Sequence, residues 1–265
     1  MEKILHKKIV QEYYSKRARD YDVQKTMTWK SKEGFNAEML DEVTDLSADL
    51  EKKPLLEVGF GSGRIGLPLL RKIKPWLVGL DLSKEMLQLA KDKTSPHKGN
   101  LDLILGDAEH LPFTDMVFDA IICISTMHYL INAEVSLEEF SRTLKAKGFL
   151  VYGDMTLHEL DNQSFIDKLE KTISKAHSRY YKASHAKKML ENHSFHVMRI
   201  KTIRYRKSYV SLIEDKAKYF HVEIEAFNKR IQEASANERE LYAVNSNGLT
   251  LFYTLVKAEK WTLTT

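Results

Sequence analysis

The chain of 265 residues is long enough to bury a sizeable core and fits one elaborated domain or two. Its composition, 43% hydrophobic and 29% charged residues, is near that of soluble globular proteins and excludes collagen-like and largely disordered chains. Because Cys123 is the single cysteine, neither an internal disulfide nor a cysteine zinc cluster can form, and a cytoplasmic location is expected. Charges are scattered through the first ten residues, and no apolar run approaches the ~18 residues of a membrane helix. Neither a signal peptide nor a membrane span is therefore predicted.

Helical periodicity predicts two helices at the start, over residues 3–20 and 32–50. From residue 54 to 155, short apolar runs then alternate with helical patterns. This alternation predicts an α/β fold, a Rossmann-like doubly wound sheet of parallel strands that binds its ligand at their carboxyl ends. The predicted strands of this part are 54–58, 76–80, 101–105, 117–124 and 149–152, and the predicted helices are 64–73, 83–92 and 133–144.

Beyond this alternation, the chain predicts helices near 159–176 and 183–192, a long strand over 195–209 and a last strand over 249–256. Between those two strands, apolar residues recur every three or four positions over 213–231, which predicts one amphipathic helix. Its apolar stripe is interpreted either as core packing or as a lid or partner helix.

The strongest local signal is LLEVGFGSGRIG, where a strand runs into glycines and then into a helix. Gly61, Gly63 and Gly66 fit the G-x-G-x-x-G of a dinucleotide site, in which backbone and a helix N-terminus bind a pyrophosphate. Gly59, Gly61 and Gly63, preceded by the carboxylate of Glu57, fit E-x-G-x-G-x-G equally well. Both interpretations require glycine, since the ligand lies directly against the backbone.

An acidic residue ends the next strand. Asp81, in VGLDLS, can accept hydrogen bonds from both hydroxyls of a ribose. It suits either ligand, so the charge beside the glycine turn has to discriminate between them. Glu57 would repel a pyrophosphate and attract an ammonium or sulfonium group. The residues alone therefore favour a cationic nucleoside over NAD.

Five motifs in order, LLEVGFGSG, VGLDLSKEML, LILGDAEHLPF, FDAIICISTMHYL and LKAKGFLVY, resemble those of class I S-adenosylmethionine-dependent methyltransferases. Within that class the chain is similar to the methyltransferase type 11 group, which includes small-molecule menaquinone and ubiquinone methyltransferases. The resemblance implies a seven-stranded sheet with an antiparallel last strand, and S-adenosylmethionine as the cofactor with S-adenosylhomocysteine as its product. It also implies a single methyltransferase domain over 1–265, with an N-terminal helical cap (1–50), the cofactor-binding core (51–155), substrate-side helices and strand with a helical insertion (156–248), and the last strand (249–258).

The resemblance also assigns cofactor-binding residues motif by motif. The segment VQEYYSKRARDYD looks like the leading helix of this group, in which Tyr14 and Tyr21 would face the sulfonium and Arg17 the methionine carboxylate. The same tyrosines are equally interpreted as packing that helix onto the domain. The implied contacts of the core are Glu57, Gly59, Gly61 and Gly63 along methionine and ribose, Asp81 on the ribose hydroxyls, Leu82 and Met86 beside the adenine, Asp107 on its amino group, Ala108 near its ring, and Ile124 and Ser125 beside the methionine.

Methyl transfer from a sulfonium depends on alignment and exclusion of water more than on any particular side chain. His128, just past the fourth strand, is the best-placed candidate base, although a histidine here equally serves packing or cofactor contact. Tyr129 and Tyr21 are weaker candidates. Cys123, inside an apolar strand, is interpreted as a small buried hydrophobe, and no spacing of histidines and acids predicts a metal site.

Positive charge is concentrated in residues 171–220, which hold 13 Lys and Arg against three Asp and Glu, while the whole chain carries +4. This basic stretch is interpreted as a solvated face, as a surface where Arg204 and Arg206 contact an anionic substrate, or as a nucleic-acid footprint. Tyr129, outside the stretch, is a further predicted substrate residue. The sequence therefore predicts a methyltransferase with a small-molecule methyl acceptor, anionic or partly apolar, modified at O, N or C. The alternatives are a tRNA or rRNA methyltransferase that uses the basic stretch, and a cofactor-binding sensor without activity. The oligomeric state is left open.

Overall fold

A computed structural model describes residues 2–29, 34–94, 100–219 and 222–261, with the backbone alone at residues 2, 19–29 and 215. Its centre is a sheet of eight strands. The strands are β1 (Pro54–Val58), β2 (Trp76–Asp81), β3 (Leu101–Leu105), β4 (Phe118–Ile124), β5 (Leu144–Leu157), β6 (Tyr181–Lys182), β7 (Phe195–Ser208) and β8 (Gly248–Lys260). They lie in the order β3-β2-β1-β4-β5-β8-β7, and β6 pairs with β5 off this path.

The direction of the strands determines where a ligand can bind. Strands β1 to β5 run parallel, whereas β8 lies antiparallel between β5 and β7. The predicted doubly wound sheet with an antiparallel last strand is confirmed, with the two-residue β6 as an addition. The carboxyl ends of β1 to β4 meet at one edge, which is where open parallel sheets bind ligands.

Helices flank the sheet in the alternation that parallel strands require. They are α1 (Glu2–Trp29), α2 (Phe35–Leu46), α3 (Gly66–Lys72), α4 (Lys84–Thr94), α5 (Ala133–Thr143), α6 (Phe165–Ile173), α7 (Ala183–Asn192), α8 (Tyr209–Ala217), α9 (Ile224–Gln232) and α10 (Ala236–Leu241), with 3₁₀ turns at Ala48–Leu50 and Met127–Tyr129. Within the described part of the chain, no helix has both the length and the apolar character that crossing a membrane requires.

Both faces of the sheet are buried, as alternate residues of β4 demonstrate. Ile121 and Cys123 pack into one cluster, formed with α5 and α7. Ala120 and Ile122 pack into the other, formed with α2, α3 and α4. These four side chains have no exposed surface, and burial raises the pKa of the Cys123 thiol, as expected for a cysteine that packs rather than reacts.

The prediction of one helix over 213–231 was wrong, because α8 ends before this stretch is half complete and α9 begins anew. Both helices pack on α6, and Leu212 and Phe227 enter the same buried cluster. In one straight helix these two residues would be about 22 Å apart, longer than the nine-residue α6. The break therefore lets Leu212 and Phe227 both cover α6, whereas Ala217 and Ile224 of the predicted stripe are exposed.

Other boundaries also differ from the predicted ones. The helix predicted over 159–176 is the shorter α6, and the strand predicted over 149–152 is the much longer β5. The helix predicted over 32–50 is α2 followed by a 3₁₀ turn, and its predicted cap, Ser31, lies outside the described residues. Helix α10 was not predicted, although the Ser235 side chain and Glu238 form a capping box at its start.

Candidate active site

The structure gathers most of the predicted cofactor residues around one cavity at the carboxyl edge of the sheet. The cavity measures about 1200 Å³, part of it open to solvent, and lies between α1 and the turns that follow β1 to β4. The predicted residues that line it are Tyr14, Arg17, Glu57, Gly59, Gly61, Asp81, Leu82, Asp107, Ala108, Ile124, Ser125, His128 and Tyr129. Gly63 and Met86 do not line it, and the side chain of Tyr21 lies outside the described part.

The turn after β1 is a cradle of bare backbone. Gly59 and Gly61 have φ angles of +75° and +56°, in the left-handed region that favours glycine. A Cβ at Gly59 would lie 2.1 Å from Oγ1 of Thr126, so no side chain fits there. At Gly61 the nearest atom is 4.0 Å away, and a Cβ would enter the space that a ligand lying on the turn needs. The turn therefore fits a nucleoside cofactor.

Glu57 lies at the floor of the cavity with 3% of its surface exposed and its Oε2 beside Gly66. Burial raises the pKa of this carboxyl to about 8, against the lowering effects of the Arg64 guanidinium and the Gly66 backbone. A cation bound above the turn would favour the ionised form, whereas a pyrophosphate would disfavour it further. With this raised pKa the carboxyl is mostly protonated and uncharged near neutral pH, so Glu57 does not by itself distinguish a sulfonium nucleoside from a dinucleotide.

Asp81 is fixed by the backbone on both sides. Its Oδ2 accepts a hydrogen bond from Gly61 N (2.7 Å), and its Oδ1 accepts one from Ser83 N (2.8 Å). Burial raises the pKa of this carboxyl, and the N–H groups of Ser83, Gly61 and Leu82 oppose that effect. Each carboxylate oxygen can accept a second hydrogen bond, so a ribose diol could bind here without displacing the backbone contacts.

Acidic side chains after β3, at the rim of the cavity, are held by a lysine from α1. Lys7 Nζ donates to Oδ2 of Asp107 (2.6 Å) and to Oε2 of Glu109 (2.7 Å). Asp107 Oδ1 also accepts from Glu109 N (2.9 Å). Met86, predicted to contact the adenine, is instead fully buried and packs against Ala18 of α1.

Helix α1 covers the cavity and is bound to its rim. Tyr14 packs edge-on against Tyr129, with 5.3 Å between ring centroids, and Arg17 Nη1 donates to the hydroxyl of Tyr13 (2.7 Å). The helix is also linked to the rim by His6 Nε2 and the Tyr129 carbonyl (2.9 Å), Gln11 Nε2 and the Leu82 carbonyl (3.2 Å), and the hydroxyls of Ser15 and Ser83 (3.3 Å). The helix is therefore placed to exclude water from a bound ligand.

Ser125, at the end of β4, has a φ of +53°, an uncommon conformation for a residue with a side chain. Its Oγ lies 2.8 Å from the hydroxyl of Tyr253 and 3.5 Å from Nη2 of Arg64. Gly153 accepts from the Ser125 backbone N–H (2.7 Å) and fixes the turn. The hydroxyl is thereby presented to the cavity at the carboxyl end of the sheet.

His128 lies on the 3₁₀ turn after β4 and is 8% exposed. Its Nδ1 is 2.7 Å from Oδ1 of Asp154, and its backbone N–H donates to Oδ2 of the same carboxylate (3.0 Å). Tyr129 is the next residue along the cavity wall, and burial raises the pKa of its hydroxyl well above the ordinary value.

The predicted substrate residues Arg204 and Arg206 do not line this cavity. Arg204 borders a shallow groove between α2 and β7. The guanidinium of Arg206 donates to the carbonyls of Ala243 (2.6 Å) and Gly248 (2.9 Å). The prediction that these two residues contact the substrate therefore has no support from their position.

Lys7, Arg64 and Asp154 belong to the site but were not predicted. Lys7 lies four residues before Gln11 on one face of α1, a spacing that could have indicated a face turned to the rim. Arg64 follows the glycine motif directly, and Asp154 follows the predicted strand 149–152, like Asp81 at the end of its own strand. Among the described residues, no group of three or more His, Cys, Asp or Glu could hold a metal ion.

Comparison with known families agrees with this geometry. The family model described as "Methyltransferase domain" (type 11) matches residues 56–152, which include the glycine turn, Asp81, Asp107 and His128. The chain carries a class I S-adenosylmethionine-dependent methyltransferase domain. This methyltransferase domain has S-adenosylmethionine as its cofactor, and the resemblance found in the sequence is confirmed.

Curated relatives share the methyltransferase domain over part of their length. A fatty-acid O-methyltransferase of Mycolicibacterium smegmatis is 34% identical over 112 residues, 42% of this chain and 40% of that protein. A phthiotriol/phenolphthiotriol dimycocerosates methyltransferase of Mycobacterium tuberculosis is 34% identical over 114 residues, 42% of this chain and 41% of that protein. The chain thus spans about two fifths of these two relatives.

Solved structures share the fold over most of the chain. The YcgJ protein of Bacillus subtilis has a TM-score of 0.77 at 21% identity and covers 84% of this chain and 98% of its own. A Haemonchus contortus phosphoethanolamine N-methyltransferase 2, in complex with phosphomonomethylethanolamine and S-adenosylhomocysteine, has a TM-score of 0.58 at 14% identity. The match covers 84% of this chain and 52% of that chain. At these identities, the similarity shows the fold.

Proposed function

We propose that the protein is an S-adenosylmethionine-dependent methyltransferase that acts on a small, partly apolar molecule. The observation that carries this proposal is the continuity of one cavity from the glycine turn and Asp81 to Ser125 and His128. A cofactor that lies on the turn and an acceptor beside His128 would then share one cavity. Proximity of this kind is the main source of catalysis for a substrate that is already activated.

The residues that would hold the cofactor have distinct roles. The bare backbone at Gly59 and Gly61 would support the methionine and ribose, Asp81 would accept from the ribose hydroxyls, and Asp107 from the adenine amino group. Arg17, from α1, would neutralise the methionine carboxylate. The cofactor supplies a methyl group bound to a positively charged sulfur. When the methyl group is transferred, the sulfur becomes a neutral thioether.

The chain's own contribution is positioning and exclusion of water. Helix α1, bound to the rim through Lys7 and Gln11, would cover both reactants, and a dry cavity strengthens every electrostatic contact within it. The aromatic rings of Tyr14 and Tyr129 present apolar surface to the acceptor. The names of the relatives, a fatty-acid O-methyltransferase and a dimycocerosate lipid methyltransferase, support a partly apolar acceptor.

A nucleic-acid acceptor is less well supported, because residues of the basic stretch are paired within the chain. Arg199 and Lys201 of β7 form ion pairs with Glu42 of α2, at 2.7 and 2.9 Å. Lys216 pairs with Glu170, and Arg206 binds backbone carbonyls. These pairs support the interpretation of the stretch as a charged face balanced by the acidic remainder of the chain.

Two measurements test the proposal. Calorimetry should detect binding of S-adenosylhomocysteine and no binding of NAD⁺. Labelled S-adenosylmethionine should then transfer methyl groups to members of a panel of fatty acids, phenols and amines, and not to total tRNA. Binding of NAD⁺ without S-adenosylhomocysteine would overturn the cofactor assignment, and transfer to tRNA alone would overturn the small-molecule acceptor.

A further inference from the structure

The His128 side chain is held by a buried carboxylate on the neighbouring strand. Asp154 of β5 is 2% exposed, and its Oδ1 lies 2.7 Å from His128 Nδ1 while its Oδ2 accepts from the His128 backbone N–H (3.0 Å). Oδ1 accepts in addition from Met155 N (2.8 Å). The carboxylate therefore fixes the ring and the backbone of His128 together.

This contact determines which ring nitrogen is free for chemistry. An ionised carboxylate can only accept hydrogen bonds, so Nδ1 of His128 must carry the proton that it donates to Asp154. In the neutral imidazole, Nε2 then holds the lone pair. His128 lines the cavity with its side chain 10% exposed, and the described part of the chain offers Nε2 no hydrogen-bond partner. The lone pair is thus available to a molecule in the cavity.

The ring of His128 is also fixed by its neighbours. Tyr129 and Tyr180 pack against it, with 3.9 and 5.3 Å between ring centroids. The His128 carbonyl accepts a hydrogen bond from Ser178 N (2.8 Å). Held by the carboxylate, by ring packing and through its backbone, the imidazole cannot turn to exchange its two nitrogens without breaking the contact with Asp154.

A second histidine and aspartate pair lies close by and provides a contrast. His177 Nε2 is 2.7 Å from Oδ1 of Asp167, and its ring centroid lies 5.9 Å from that of His128. Its side chain is fully buried and does not line the cavity, and burial lowers its pKa to about 4. His177 is therefore a neutral packing residue, whereas His128 has the same kind of partner and access to the ligand space.

We infer that His128 is a general base whose Nε2 accepts a proton from the methyl acceptor, that Asp154 is its positioning residue, and that the acceptor is an acidic hydroxyl, a phenol or an enol. The inference rests on the proposed methyltransferase function. An aspartate that orients a histidine and stabilises its charged form is a well-established arrangement for proton abstraction.

The reaction balances with these groups alone. The acceptor oxygen forms a bond to the methyl carbon, and the carbon–sulfur bond breaks with its electron pair going to sulfur. The hydroxyl proton moves to Nε2, and the imidazolium that results is stabilised by the Asp154 carboxylate. The imidazolium later loses this proton to solvent, so that each turnover yields a methyl ether, S-adenosylhomocysteine and one proton.

The acceptor class follows from the need for a base. A fatty-acid carboxylate is already ionised and a neutral amine already has a free lone pair, so neither gains from proton removal during attack. A neutral hydroxyl gains most, because it becomes a stronger nucleophile as its proton leaves. Among hydroxyls, phenols and enols lose that proton more readily than aliphatic alcohols, and they are therefore the acceptors that we infer.

A pair of phenols of different acidity tests the base directly. At about pH 8.5, para-nitrophenol is mostly a phenolate, whereas para-cresol, like a tyrosine side chain, is protonated. The variant His128→Gln should lose about 100-fold in methylation of para-cresol, the usual size of base catalysis, and less than about threefold with para-nitrophenol. A structural role would reduce both rates equally, and that result would overturn the inference.

The matched control is His177→Gln, which disturbs the neighbouring histidine pair without touching the cavity. It should leave the ratio of the two phenol rates unchanged. If His128→Gln and His177→Gln change the ratio alike, packing explains the effect and the base assignment is wrong. If wild-type protein methylates fatty acids and neither phenol, the acceptor class is wrong although the proposed function stands.

A spectroscopic measurement tests the pair independently of turnover. In protein labelled with heavy-nitrogen histidine, the His128 signals, assigned from His128→Gln, should show a protonated Nδ1 and an unprotonated Nε2. Asp154→Asn should abolish this preference, while Asp161→Asn, at an equally buried carboxylate that accepts from the Tyr242 hydroxyl and the Phe165 backbone N–H, should preserve it. A mixture of tautomers in wild type would overturn the role of Asp154. Absence of S-adenosylhomocysteine binding would identify failure of the proposed function instead.

Discussion

Glu57 couples the folding of this protein to pH, because its carboxyl group is buried beside the ligand cavity. Its pKa of about 8 lies above the ordinary value of 4.5. The folded chain therefore keeps a proton that the unfolded chain loses between these two values. The contribution of Glu57 to stability is largest below about pH 4.5 and is lost as the pH rises through about 8.

Glu57→Gln should therefore stabilise the cofactor-free protein at alkaline pH. Glutamine imitates the protonated acid and carries no charge to bury, so the gain should be absent near pH 4.5 and grow toward pH 8, with a limiting slope of about 1.4 kcal/mol for each pH unit. Denaturant unfolding across this range measures it. The control is Glu138→Gln, an exposed residue of α5. A gain that does not change with pH would contradict the buried acid.

Asp81 is the second residue at which a single substitution tests the site. Asp81→Ala should weaken binding of S-adenosylhomocysteine by about 1 to 3 kcal/mol, because charge-assisted hydrogen bonds to the ribose are lost. Calorimetry with wild type, Asp81→Ala and Asp102→Ala, an exposed residue of the edge strand β3, makes the comparison. Equal affinity of all three proteins would refute the ribose assignment.

At the level of elements, α1 is the helix that covers the ligand cavity and is held to its rim by side chains. Its Lys7 is bound to Asp107 and Glu109, and the Glu109 side chain is only 5% exposed. Burial lowers the pKa of Lys7, but hydrogen bonds to both acids outweigh this and raise it, so the charged form is favoured. The contact thus acts as an electrostatic link between the helix and the cavity rim.

Lys7→Ala should accelerate release of S-adenosylhomocysteine by about 5- to 30-fold, the equivalent of about 1 to 2 kcal/mol for partly exposed hydrogen bonds between charged groups. Stopped-flow dissociation measures this rate. Lys8→Ala, one residue along on the exposed side of α1, serves as the control and should leave the rate unchanged. Unaltered release from Lys7→Ala would mean that the helix is held by its other contacts.

For the whole molecule, ligand binding should appear as thermal stability. A ligand at 100 times its dissociation constant adds about 2.7 kcal/mol to the folded state. In a chain of this size each kcal/mol raises the melting temperature by about 2–4 °C, so S-adenosylhomocysteine should raise it by about 5–10 °C. NAD⁺ at the same concentration should not change the melting temperature. A rise with NAD⁺ and none with S-adenosylhomocysteine would support the interpretation of the glycine turn as a dinucleotide site.

Charge is also balanced across the molecule. In the sequence, the basic stretch at 171–220 looks like an unbalanced region of positive charge. In the structure, Arg199 and Lys201 form ion pairs with Glu42 of α2, more than 150 residues earlier. Lys216 likewise pairs with Glu170 of α6. A segment's net charge does not reveal such pairing, because the acidic partners come from other parts of the chain.

The sequence by itself determined the parallel core and the cofactor end of the site. Short apolar strands between helical patterns indicate a doubly wound sheet, and the carboxyl ends of its strands must meet at one edge. Gly59, Asp81 and Asp107 each follow such a strand, so their positions along the chain were enough to bring them together.

The tertiary structure alone decided which distant side chains complete the site and how they are charged. Lys7 reaches Asp107 across 100 residues, and His128 meets Asp154 across 26. The proton on Glu57 depends on burial, and the break between α8 and α9 depends on the length of α6. Periodicity along one segment indicates the type of element and which of its faces is buried. The features above depend on how separate elements pack against one another, which spacing within one segment does not encode.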